Sequence, residues 1–144
     1  MLLRVLAATV AGGITLFFLG WLVYGILLMD FMKDNMVNYP GLMKEPMPDM
    51  VPLVIANLVI AGLFAFVFEY WATIRTFVGG LKGGAILMFL IALYIDLSFM
   101  SFMNIMKGIT PVIVDVIAAT VIGAIAGGVI GLVLGAMNKE PATA

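Results

Sequence analysis

Four long apolar stretches, separated by shorter polar ones, make up almost the whole chain. We predict helices over residues 3–29, 52–74, 83–106 and 111–137, with a loop over residues 30–51 on the outer side. A helix needs about 20 consecutive apolar residues to cross a bilayer, and each stretch meets that length. The pattern therefore predicts an all-α, four-helix transmembrane bundle that forms a single integral membrane domain over the 144 residues.

The fourth apolar stretch carries small residues at every fourth position. This small-residue row consists of Ala119, Gly123, Gly127, Gly131 and Gly135. In lipid, such rows let helix backbones come close enough for van der Waals packing. Each step of four residues also turns the row by about 40° around the helix. We therefore expect residues 119–127 to face one neighbour and residues 127–135 another, these neighbours being the first and third predicted helices.

The amino-acid composition excludes most of the functions that soluble proteins perform. Apolar residues make up 65% of the chain, charged residues 10%, and the mean hydropathy is +1.24, values typical of an integral membrane protein in a lipid bilayer. The chain has no Cys and no His, which removes disulfides, thiolate or imidazole metal sites and the common nucleophile arrangements. The net charge is −1 without a basic run, so no nucleic-acid binding is expected. We expect no enzymatic activity and no cofactor.

The distribution of basic residues predicts an orientation. Arg4, Arg75, Lys82 and Lys139 flank the helices on the amino-terminal side, and Lys33, Lys44 and Lys107 flank them on the other. The positive-inside rule therefore favours both termini in the cytoplasm, an N-in, C-in arrangement.

Three acidic residues fall within or beside the apolar stretches. Glu69 adjoins Tyr70 and Trp71, so we expect it at the interface, where it reaches water by snorkelling. Asp115 follows Pro111 by four residues and is also expected near the interface, although it extends the small-residue row.

Asp96 has no such route to water. It follows Lys82 by 14 residues and precedes Lys107 by 11, about 21 Å and 16 Å along a helix, which predicts a position near mid-membrane. A carboxylate there must be neutral, hydrogen-bonded, or facing water or a cation. Expected partners at this depth are Asn57, Tyr24, Ser98 and Asn104. A functional site and structural glue between helices both satisfy these conditions, and the sequence leaves the choice open.

Methionine is concentrated toward one side of the predicted bundle. Met29, Met32, Met100 and Met103 follow helical spacings there, and Asp96, Met100, Met103 and Lys107 would share one stripe. Thioethers are soft ligands suited to Cu(I). Methionine is also a flexible apolar filler, and the absence of Cys and His makes packing the simpler explanation.

The four-helix layout, the motif Gly20-Trp21-Leu22-Val23-Tyr24-Gly25, the long first loop and the glycine-rich last helix resemble small bacterial four-helix membrane proteins grouped as domains of unknown function. The resemblance implies a location in the bacterial inner membrane and carries no activity. Small multidrug transporters share this size and helix count, but they carry an acidic residue in the first helix. No acid lies between Arg4 and Asp30 here.

The sequence supports three functional hypotheses. The first is a non-enzymatic interaction or accessory subunit, held by glycine-mediated helix packing and able to form a homo-oligomer or join a larger membrane complex. The second is a small proton- or cation-coupled transporter or channel that uses Asp96. The third, a Cu(I) site formed by the outer methionines, has the least support.

Overall fold

The computed structural model describes residues 1–138, and the described part of the chain contains helices and no strands. The helices are α1 (Leu2–Leu22), α2 (Met29–Asn35), α3 (Met50–Phe66), α4 (Phe77–Phe102) and α5 (Thr110–Ala136). α1 continues into a π-helical turn at Val23–Leu27, and α3 into another at Val67–Ala72. Lys139, which entered the predicted orientation, lies outside the described residues.

Four helical segments are long and apolar enough to cross a membrane. They are Leu2–Leu27, Met50–Ala72, Phe77–Phe102 and Thr110–Ala136, which confirms the predicted all-α, four-helix class. Residues 30–51 are not entirely loop, because α2 occupies their first part. We call the end of the bundle where α1 begins the N-terminal end, and the end where α1 finishes the loop end.

The third spanning helix was predicted over residues 83–106, and the structure shifts it toward the N-terminus. α4 begins after Thr76, whose side-chain oxygen accepts a 3.1 Å hydrogen bond from the Gly79 amide and so satisfies one of the free N–H groups of the first turn. It ends at Phe102, because Met103 turns into an extended conformation. Gly79 and Gly80, which precede the predicted helix, therefore lie inside α4.

The closest helix contact joins α4 and α5. A Cβ added to Gly84 would lie 2.2 Å from the carbonyl oxygen of Gly123, and one added to Gly127 would lie 2.3 Å from that of Gly80. Real Cβ atoms do not come this close to backbone oxygens. The two backbones are thus in direct contact, a distance that only glycine permits at these positions.

The expectation that the small-residue row divides between two neighbours is wrong. Gly123 and Gly127 face α4, while Gly131 and Gly135 face Thr76 and Arg75 at the start of the same helix. Residues four apart form a ridge inclined by about 26° to the helix axis, so one helix that crosses at an angle can follow the ridge along its length. The gradual turn of the small-residue row around α5 therefore determines the angle at which α4 crosses α5, and no second partner helix is needed.

α5 uses a different set of residues to contact α1 and α3. Ile122, Ala126, Ile130 and Leu134, also four apart, are buried in a core shared with α1 and α3. On α1, Gly12 packs against Ile130 and Gly13 against Leu58 of α3. α5 is therefore the central helix: one row holds α4, and the adjacent row holds α1 and α3.

We predict that Gly84→Ala destabilises the protein by about 1–3 kcal/mol, the usual cost of overpacking a tight contact. Gly20→Ala is the matched control, because a Cβ at Gly20 would meet no atom of the described residues within 4 Å. Alanine is favoured over glycine inside helices by about 0.5–1 kcal/mol, so this control should be neutral or slightly stabilising. Unfolding in detergent, followed by circular dichroism, measures both. Equal effects would contradict the backbone contact between α4 and α5.

Candidate functional site

The two helix rows that bring α4 and α5 together each lead to an acidic residue at the loop end. On α4, Gly80, Gly84, Met88 and Ala92 are four apart, and the next residue in this series is Asp96. On α5, the small-residue row continues backward from Ala119 to Asp115. Because the helices are antiparallel and these rows face each other, the two carboxyl groups lie within electrostatic and hydrogen-bonding reach.

Asp96 lies nearer the loop end of α4 than the middle of the helix, where its spacing from Lys82 and Lys107 had predicted it. It precedes the end of α4 at Phe102 by six residues, about 9 Å along the helix. Asp115 follows the start of α5 at Thr110 by five residues, about 8 Å at the same rise per residue. The predicted position assumed a helix over residues 83–106, whereas α4 begins at Phe77 and ends at Phe102.

Of the partners expected for Asp96, Tyr24 is the one that the structure places at this acidic pair. Its hydroxyl lies within hydrogen-bonding reach of Asp115 and within electrostatic reach of Asp96. Asn57 instead donates a 2.8 Å hydrogen bond to the Leu53 carbonyl of its own helix. The Ser98 hydroxyl likewise donates to Tyr94. The site therefore combines side chains from α4, α5 and the π-helical end of α1.

Asp96 is 6% exposed, and within residues 1–138 its Oδ2 atom has no hydrogen-bond partner. Ionised carboxylates only accept hydrogen bonds, so Asp115 in that form cannot satisfy Asp96. A proton on either group would supply a donor, and a small cation would serve both.

A cavity of about 910 Å³ lies beside the acidic pair. Its walls come from α1, α3 and the connection between α2 and α3, and Met88, Ala119 and Ile122 contribute from α4 and α5. The lining is mostly apolar, and Tyr24 and Asn57 provide polar groups. Tyr24 is therefore shared between the cavity and the acidic pair, and Ala119 lies one helical turn from Asp115.

Backbone hydrogen bonds tie the two connections at the loop end to each other. Val37 donates to the Ile105 carbonyl at 2.8 Å, and Lys107 donates to the Asn35 carbonyl at 2.9 Å. The Tyr39 hydroxyl adds a 2.9 Å bond to the Asn104 carbonyl. These bonds fix the ends of α2 and α4 relative to each other, close to the acidic pair.

The methionines considered as soft-metal ligands all lie at the loop end. Met29, Met100 and Met103 are about half exposed, and Met32 is partly buried. The predicted stripe of Asp96, Met100, Met103 and Lys107 does not form, because the last two residues follow the end of α4. Among the described residues, no group of three or more acidic, Cys or His side chains could hold a metal ion. The Cu(I) site stays a prediction from sequence.

A second charged cluster lies at the N-terminal end, where the expectation for Glu69 was wrong. Glu69 is 2% exposed and does not reach water. Arg4 contacts it at 2.5 Å, and Arg75 binds it through Nε and Nη2, each at 3.2 Å. Arg4 also donates to Asn138. Because these residues lie in α1, in the π-helical turn after α3, in the turn before α4 and just after α5, the cluster connects the four spans at this end.

The cluster was not predicted from the sequence, because the interfacial position expected for Glu69 rests on its immediate neighbours alone. The available signal was that Arg4, Glu69 and Arg75 all flank helix ends on the same side of the predicted bundle. An acid between two arginines at one depth favours ion pairing over exposure, since apolar surroundings strengthen charge interactions. Adjacent Tyr70 and Trp71 made the interfacial explanation look sufficient.

The fold and the site define a class: a small all-α protein with four helices suited to crossing a membrane and an acidic pair between two of them. Comparisons of the chain with protein-family models, curated proteins and solved structures found no match. The function is therefore inferred from the residues and geometry of the site.

We predict that Glu69→Gln destabilises the protein by about 3–5 kcal/mol, because removing one partner of a buried ion pair leaves uncompensated charge. Glu45→Gln is the control, since Glu45 is exposed between α2 and α3, and it should change stability little. Thermal unfolding of both variants in the same detergent measures the difference. A Glu69→Gln protein as stable as the control would show that the cluster does not hold the N-terminal end together.

Proposed function

We propose that the chain is a non-enzymatic, multi-pass membrane protein that binds and releases a proton or small cation at Asp96 and Asp115, as a small transporter or channel does. The observation that carries the proposal is that the buried Asp96, whose Oδ2 has no hydrogen-bond partner among residues 1–138, lies within reach of a second carboxyl group. Two carboxyl groups in one apolar site cannot both stay ionised cheaply, so they favour a shared proton or a bound cation.

The surroundings of the pair favour transfer over catalysis. Tyr24 and Asn57 are polar groups of the adjoining cavity, and an enzyme of this size would need converging acid, base and nucleophile. A hydroxyl next to two carboxyl groups is instead suited to relaying a proton. This favours the second hypothesis from sequence over the first.

Proteoliposomes with an internal pH-sensitive dye test the proposal. A potassium gradient with valinomycin drives cation entry, and the purified protein should acidify the lumen. Asp96→Asn and Asp115→Asn should each reduce the rate to that of protein-free vesicles, because an amide neither carries a proton nor attracts a cation. If the coupled ion is Na⁺, its uptake should fall in the same two variants.

Asp30→Asn is the matched control, because it removes an exposed carboxylate at the same end of the bundle. Its flux should equal that of the unmodified protein. Size-exclusion profiles and unfolding temperatures of all variants establish that they fold. Flux that survives in folded Asp96→Asn and Asp115→Asn, or that is absent from the folded unmodified protein, would overturn the proposal.

The second candidate is the interaction or accessory subunit, and the packing of α4 favours it. α4 packs chiefly on α5, while Phe89, Leu90 and Tyr94 on its other faces are exposed. Such a face can be covered by lipid, by a second copy of the chain or by another membrane subunit. Absence of flux combined with a discrete oligomer or a co-purifying subunit would support this role.

We also propose an N-in, C-in orientation in the bacterial inner membrane. Arg4, Arg75 and Lys82 at the N-terminal end support this orientation. The chain contains no Cys, so a single Met43→Cys change creates a unique label site between α2 and α3. A membrane-impermeant maleimide added to intact spheroplasts should label it. Labelling only after the membrane is broken would reverse the orientation.

A further inference from the structure

The cavity beside the acidic pair has a distinctive wall. Phe17, Phe18, Trp21 and Tyr24 line it from α1, and the rings of Phe17 and Phe18 meet edge to face with centroids 5.5 Å apart. None of the described residues that line it carries a charge. Its volume of about 910 Å³ falls within the range of sites that enclose a drug-sized molecule.

We propose that this cavity binds a monovalent lipophilic cation, such as an aromatic ammonium or phosphonium compound. The proposal deepens the proposed transport function by naming a substrate class, and as a substrate site it rests on that function. An apolar wall excludes hydrated inorganic ions, because they would lose their hydration without replacement ligands. A cation whose charge is enclosed by apolar groups loses little hydration and gains the apolar contact.

Charge complementarity distinguishes this occupant from a neutral lipid chain. Aromatic faces attract cations through their negative quadrupole, and α1 supplies four aromatic rings. Asp115 is in hydrogen-bonding reach of the Tyr24 hydroxyl, and Asp96 is within electrostatic reach of it. A cation against Tyr24 would therefore be attracted by the carboxyl groups through an apolar medium, where charge interactions are poorly screened.

The remaining wall suits ligands of varied shape. Met43, Met47 and Met50 contribute thioethers from the connection between α2 and α3, and Met88 contributes one from α4. Methionine side chains are flexible and polarisable, and they adapt to differently shaped partners. The methionine enrichment noted in the sequence thus gains a role in this site that needs no metal.

Methyltriphenylphosphonium and its neutral, nearly isosteric analogue triphenylphosphine oxide provide the test. For this test the protein is prepared as a Trp71→Phe variant, in which Trp21 of the cavity wall is the sole tryptophan. Equilibrium dialysis in detergent measures binding, and Trp21 fluorescence reports its location. The phosphonium should bind saturably, and the oxide should bind more weakly by about tenfold or more.

Three substitutions complete the experiment. Gly20 lines the cavity and a Cβ there meets no atom within 4 Å, so Gly20→Leu should occupy the space and abolish binding without disturbing the fold. Asp115→Asn should weaken binding of the phosphonium alone. Val10→Leu, at an exposed position of α1 that is not part of the lining, is the control and should bind normally.

Equal affinity for the two probes, or phosphonium binding unaffected by Asp115→Asn, would overturn the proposal and identify the cavity as a site for a neutral chain such as a lipid tail. The absence of saturable phosphonium binding would also overturn it. The flux assay is independent. Phosphonium binding without proton or cation flux would reject the transport function and keep the cavity as a binding site. Flux without phosphonium binding would keep the transport function and reject the cavity as a site for lipophilic cations.

Discussion

The direct contact between the backbones of α4 and α5 is the interaction on which the rest of the structure depends. In lipid, exposing an apolar side chain costs little, so helices associate through close van der Waals contact and not through the hydrophobic effect. Glycine at positions 80, 84, 123 and 127 provides that contact. The same rows lead directly to Asp96 and Asp115, so the packing that holds the two helices together also brings their carboxyl groups together.

α5 connects the two halves of the bundle. Its small-residue row packs on α4, and the adjacent row of Ile122, Ala126, Ile130 and Leu134 packs on α1 and α3. Different interactions hold the two ends of the bundle. Ion pairs around Glu69 hold the N-terminal end, and backbone hydrogen bonds between residues 35–37 and 105–107 hold the loop end. Between these fixed ends, the cavity opens where α1 and α3 leave space in front of α5.

The two charged clusters contrast in the charges that they bring together, which are opposite around Glu69 and alike around Asp96. Glu69 lies between two guanidinium groups that neutralise it and supply hydrogen-bond donors, which is the arrangement of a structural ion pair. Asp96 faces another carboxyl group and has an unpartnered oxygen within the described chain. Two carboxyl groups in one apolar site repel each other when both are ionised, whereas the guanidinium groups attract Glu69. This difference directs the functional argument to the loop end and assigns the N-terminal cluster to stability.

The sequence by itself determined the fold class, because length and hydropathy suffice to identify helices that can cross a bilayer. It also identified the small-residue row and singled out Asp96, since spacing and an unusual residue in an apolar stretch are local properties. Only the tertiary structure decided what these residues face. The pairing of Asp115 with Asp96 and the burial of Glu69 are tertiary features. Both depend on where other helices end and how they cross. The cavity and its aromatic wall are likewise spaces between helices, and no single segment encodes them.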